Sequence, residues 1–240
     1  MIFSLFLFSE FVLCFRQSLP QLIEDGTQEY QTKTKHEEYV SVQDSVTLEH
    51  FIYSEINTTL LGGAVKVDKT NITIKDCKFV SCIGKNGGAL YLNYDGSKIF
   101  DCLVQNCIFN ECKATSRGGA VYINVPQVNK KITIDGCQFT ENIATNEGGA
   151  IYAIARDLLT IQGCTFTNNQ GKIGSSLWCE VGWGSGSDQD DRFKLYDNSF
   201  AFTPTQNSSN VYIINKEKTG GAVKPPTVII GRCMFNTTTE

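Results

Sequence analysis

Histidine is nearly missing from this 240-residue chain: His36 and His50 are the only two. Both lie towards the N-terminus, which excludes a histidine-based mechanism along the rest of the chain. Zinc is disfavoured as well. No Cys-x-x-Cys spacing occurs among the ten cysteines, and two histidines offer few partners. Clusters of basic residues are absent and the net charge is −4, which argues against nucleic acid as a partner. After residue 15, no apolar run is long enough to span a membrane. Nothing in the composition implies a cofactor.

What is present is a repeat. An eleven-residue pattern (apolar, any, apolar, any, any, Cys, any, Phe, any, any, then Asn or Cys) begins at Val46, Ile72, Cys102, Ile132, Leu159, Phe193 and Val228. Self-similarity at a period of about 25–35 residues indicates a repeat architecture. A second motif follows each copy after five or six residues: Gly-Gly-Ala-apolar-x-apolar from Gly62, Gly87, Gly118 and Gly148. It degenerates to Gly174–Cys179 and Ser208–Ile213. Gly220-Gly221-Ala222 has the right spelling but the wrong spacing, and reads as loop.

Alternating apolar positions specify half-buried strands. The third and sixth pattern positions are three apart, so inward parity breaks there and the chain must bend. Turn-forming pairs such as Asp135-Gly136 and Gly231-Arg232 occupy that point. With the Gly-Gly-Ala strand, each repeat supplies three short strands and makes one coil. The expected fold is all-β: a parallel β-helix of about seven coils over residues 46–240, roughly 30–35 Å long. Stacking predicts an interior column of Phe79, Phe109, Phe139, Phe166, Phe200 and Phe235 below Tyr53. A second column holds Cys77, Cys107, Cys137, Cys164 and Cys233, interrupted by Asn198. Such inward cysteines read as small buried hydrophobes. Cys82 and Cys112 share a turn position on adjacent coils, within disulfide reach; Asn142 and Asn169 hold the same position further on.

Outside the core, the fifth position of the Gly-Gly-Ala motif reads Lys66, Tyr91, Tyr122, Tyr152, Trp178, Tyr212. In register these form an outward aromatic ladder, suited either to a ligand platform or to self-stacking. Length variation collects at one connection, between the third strand and the next coil: four, nine, eight, five, thirteen and fourteen residues. The thirteen-residue insertion carries Trp183 and the carboxylates Asp188, Asp190 and Asp191, a weak calcium candidate. Asn57, Asn71, Asn207 and Asn236 head N-glycosylation sequons.

Residues 1–15 are almost continuously apolar and too short for a span, so they read as a signal peptide and the chain as secreted or displayed at the cell surface. Membrane attachment is not encoded unless that segment stays uncleaved. Residues 16–45 are polar, lack the pattern, and are expected to be a lead or a cap.

The paired Gly-Gly-Ala-[Ile/Leu/Val] and Phe-x-x-Asn motifs, the latter complete at Phe139–Asn142 and Phe166–Asn169, resemble the repeats of polymorphic outer-membrane proteins. That resemblance implies a right-handed parallel β-helix at the cell surface with an adhesive role, whose partner is a host-cell or glycan ligand or another surface protein. Self-secretion through a C-terminal transporter barrel, as in the bacterial autotransporters of that kind, is not expected. The alternative is a polysaccharide-binding or polysaccharide-degrading β-helix, but the strands show no outward carboxylate pair for glycoside hydrolysis. A non-enzymatic role is therefore expected.

Overall fold

The computed structural model describes residues 21–22, 29–40, 45–94, 100–125, 130–155, 158–182, 193–202, 209–216 and 228–237. Three long sheets wrap a single core. Face 1 stacks the first strand of every repeat, from Val46–Glu49 through Lys130–Asp135 to Val228–Gly231. Face 2 stacks the Cys-x-Phe strands, from Phe51–Ser54 to Met234–Thr237, and face 3 the Gly-Gly-Ala strands, from Val65–Asp68 to Val211–Lys216. On these three faces every described pairing between coils is parallel and in register, as in Phe109 against Phe139 and Tyr122 against Tyr152. Among the described residues six coils carry all three strands and a seventh is represented by two, slightly fewer than the expected count of about seven.

Two features depart from the sequence reading. Coils two to four carry an extra short strand, Ile83–Asn86, Lys113–Arg117 and Ile143–Ala144, which forms a fourth, three-stranded sheet between faces 2 and 3. The solenoid also starts before residue 46. Glu29–Lys33 pairs in parallel with Phe51–Ser54, and Glu37–Val40 with Val65–Asp68. These strands lack the apolar pattern because they bury one side only, against the first coil. Glu37 accepts hydrogen bonds from Tyr53 (2.7 Å) and Tyr39 (3.3 Å), so a carboxylate closes the top of the aromatic column. Gln21–Leu22 pairs antiparallel with the outer edge of Glu29–Lys33 and shields that edge. The opposite end is apolar: Ile230, Met234 and Phe235 are each more than half exposed.

The bends fall where parity required. The residue before each Cys-x-Phe strand is left-handed in all seven coils: His50, Asp76, Asn106, Gly136, Gly163, Asp197 and Arg232, with φ from +50° to +62°. A second left-handed position precedes the Cys82-type site, at Glu55, Ser81, Glu111, Glu141 and Asn168. Such a conformation costs a non-glycine residue about 1–2 kcal/mol. It also rotates the next N–H and a nearby carbonyl out of the ladder, and the following side chain repairs both. Asn142 donates Nδ2–H to Phe109 O (3.0 Å), while its Oδ1 accepts from the Cys112 N–H (3.0 Å). Asn169 repeats the arrangement on Phe139 O and the Asn142 N–H. Cysteine fills the same role more weakly: Cys137 Sγ lies 3.6 Å from Val104 O and accepts from the Cys107 N–H at 3.4 Å. Asn198 interrupts the Cys column without interrupting its function, bonding Ile161 O and the Cys164 N–H.

The described cysteines are free thiols. This corrects the disulfide expected between Cys82 and Cys112. Each thiol donates to the carbonyl of the coil beneath, Tyr53 O and Phe79 O respectively, both at 3.5 Å. The phenylalanine column is continuous from Tyr53 to Phe235, with ring centroids 4.7–5.0 Å apart and planes within 9°. Each such pair adds roughly 0.5–1.5 kcal/mol to the area it buries. Gly220 lies outside the described residues, and Val211–Lys216 takes the sixth place on face 3, as spacing required.

The two glycines of the Gly-Gly-Ala motif have different causes. The first is left-handed, as at Gly148 (φ +66°). The second touches the next coil: a Cβ on Gly119 would sit 1.9 Å from Gly149 O. Gly119→Ala should therefore cost about 3 kcal/mol, lowering the melting temperature by about 6–12 °C; an unchanged thermal transition would refute the contact. Asn142→Leu strands one buried N–H and one carbonyl and should cost about 2–4 kcal/mol, whereas Asn142→Cys should cost about half as much. Denaturant titration of the two variants checks that order.

Candidate functional site

Face 3 carries the aromatic ladder. The alternation that turns Val121 and Ile123 inward turns Tyr122 outward, and parallel register places Tyr91, Tyr122, Tyr152 and Trp178 above one another. Their centroids are 5.0, 5.0 and 4.4 Å apart, with near-parallel planes. The rings are not an open platform, however. Tyr122, Tyr152 and Trp178 are only 8, 5 and 8% exposed. Their faces are taken up by each other, and Tyr91, Ile154 and Ile214 pack against the cluster. The Arg117 guanidinium lies 5.2 Å from the Tyr152 ring centre and forms an ion pair with Glu147 at 2.7 Å. Tyr212, 40% exposed, is the one described ring of the ladder that offers substantial open surface. Lys66 begins the column, held by Glu38 of the N-terminal cap at 3.4 Å. The ladder thus stabilises the stack, which is the self-stacking alternative.

Burial governs the titration of this cluster. It pushes the Tyr152 phenol up to about 12, with the nearby Arg117 charge pulling the other way. Tyr122 moves in the same direction for the same first reason.

On face 1, a groove of about 280 Å³ with mixed polar and apolar walls opens over the strands of coils two to four. Its floor is Thr73, Leu103 and Thr133, one outward residue from each coil in register. Asn71, Asp101 and Lys131 form the rim. The Asn71 Oδ1 accepts from the Asp101 N–H at 2.9 Å and fixes that edge. The groove borders the connection where all the length variation collects. The pattern concealed it because its residue types do not repeat; only reading positions before and within the first strand across three coils would have assembled it.

A third grouping was also missed. Glu49, His50 and Asp76 bring a carboxylate, an imidazole and a second carboxylate within 4.8 Å of one another. His50 Nε2 and Asp76 Oδ2 are 3.8 Å apart, because both occupy the left-handed bend of successive coils. A histidine therefore does stand on the solenoid beside two acids, which narrows the exclusion drawn from composition. The donor set is of a kind that holds divalent metals, but Lys75 is in register with Glu49 and supplies a competing charge.

Of the sequons, Asn57 and Asn236 are exposed, and Asn71 is half-buried on the groove rim. Asn207, Trp183 and the candidate calcium ligands Asp188, Asp190 and Asp191 lie outside the described residues, as do residues 1–15.

Parallel in-register coils, left-handed bends and inward Phe and Cys columns define a parallel β-solenoid. The family model "right handed beta helix region" matches residues 62–210, five turns from the start of the first Gly-Gly-Ala motif to the residue before the last face 3 strand. The chain belongs to that family, and the fold is a right-handed parallel β-helix. Comparison with curated proteins and with solved structures gave no match.

The raised Tyr152 group makes an alkaline prediction. The fold favours its neutral form, so that contribution is complete below pH 10 and is lost as pH rises through about 12. Phenolate absorbance from Tyr152, isolated by subtracting a Tyr152→Phe variant, should appear only above pH 11. A normal titration near pH 10 in folded protein would contradict the burial of the ladder.

Proposed function

We propose that the chain is a secreted or cell-surface β-helix of the polymorphic outer-membrane protein repeat type, serving adhesion or surface display without catalysis. One observation carries this reading. The rod keeps two of its bends nearly constant and admits insertions of four to fourteen residues at a single corner. In a solenoid such variation marks the surface that meets partners, while the constant bends preserve the stack. Exposed Asn57 and Asn236 suit a glycosylated extracellular rod. The partner class is a glycan or another surface protein, and the interaction is a docking of surfaces rather than the turnover of a substrate.

Glycan-array and host-cell binding with the purified full chain tests this. Saturable binding without product is expected. Appearance of new sugar ends during incubation with polysaccharide would replace the proposal with a lyase or hydrolase. Absence of a mass shift on deglycosylation of secreted material would remove the glycoprotein element.

A further inference from the structure

We infer that the face 1 groove is a subsite for one acidic sugar ring, a uronate-type or sulfated saccharide unit; this rests on the adhesive reading above. Asp101 and Lys131 are directly in register on adjacent strands, both exposed, one anionic and one cationic. Their backbones are therefore about 4.8 Å apart, and each charge faces the groove mouth without a close ion pair to the other. Beneath them, the hydroxyls of Thr73 and Thr133 flank Leu103. An apolar centre between two hydroxyls suits the C–H face and the equatorial hydroxyls of a sugar ring. The Asp101 carboxylate accepts paired ring hydroxyls, the Asn71 amide adds a polar edge, and the Lys131 ammonium takes the acidic substituent. A volume of about 280 Å³ lies at the lower limit of small-molecule sites and fits a single ring rather than a long chain.

The groove also contains its own obstruction. Asn71 and Thr73 are the first and third residues of a sequon and both line the site. A glycan on Asn71 would fill the space a ligand needs. Glycosylation of this one sequon and occupancy of the groove therefore exclude each other, whereas glycans on Asn57 and Asn236 leave it open.

The test uses the full chain produced without glycosylation and titrated calorimetrically with a uronate oligosaccharide, a sulfated oligosaccharide and a neutral glucan oligosaccharide. Binding of at least one acidic probe is expected, with the neutral probe weaker, and the two acidic arms decide between carboxylate and sulfate. Lys131→Met should weaken acidic binding about three- to fivefold, and Lys131→Arg should retain it, as expected for an exposed charge. Raised salt should reduce the difference. Both variants alter an exposed side chain, and an unchanged thermal transition verifies the fold. Equal binding by Lys131→Met, or a preference for the neutral probe, would overturn the subsite while leaving the adhesive reading in place. A chain that binds cells or glycans on an array but none of the three probes would overturn the subsite in the same way. No binding to any array glycan, cell or probe would overturn both.

Discussion

Each corner of this molecule depends on a hydrogen-bond repair. A flat strand cannot turn inward residues three apart onto one core, so the chain enters the left-handed region at Asp76, Asn106, Asp197 and their equivalents. That turn withdraws an N–H and a carbonyl from the inter-coil ladder inside a dry core, where each lost partner costs about 1–3 kcal/mol. The next side chain bridges the two groups across successive coils. Asparagine does this with a strong donor and acceptor; cysteine does it with a weak pair in less volume. The Cys and Asn columns are thus one device in two chemistries, and this explains why Asn198 can stand among thiols. Burial holds Cys112 and Cys137 well above the usual thiol range, so they stay protonated and can donate.

Much of this was legible because the repeat specifies it. Parity located the bends, and register placed the Phe column and the outward ladder. Which of the ladder's two alternatives holds, open platform or closed stack, was not legible, for a physical reason. Exposure depends on flanking columns, and those contain the aliphatic Ile154 and Ile214 and the Arg117–Glu147 ion pair, none of which belongs to the repeated motifs. The same limit concealed the Thr73–Leu103–Thr133 floor and the meeting of His50 with Asp76. Stacking brings equal positions together whatever residues they hold, so a search for a repeated letter misses sites built from unlike ones. Residues 29–40, expected only as part of a lead or a cap, hid their strands for a related reason. A strand that covers the end of a stack needs an apolar residue on one side only, and its outer surface follows no period.

Constant and variable parts of the chain divide the labour. The interior repeats set diameter, spacing and straightness, and tolerate little change where a second glycine meets the next coil's carbonyl. The connection from face 3 to face 1 is free of that constraint. It lengthens without disturbing the register of the strands on either side of it. Rigid spacing beneath an adaptable rim is a sound basis for recognition, because binding need not order the scaffold as well.

The closed ladder has an optical consequence. Tyr91, Tyr122 and Tyr152 lie in series on one indole, with Trp178 4.4 Å from the last of them. Excitation absorbed by any of these phenols can pass down the stack to that indole. Fluorescence excited through tyrosine and emitted by Trp178 would dim when one coil loosens against another, making the protein its own gauge of whether the rod is wound.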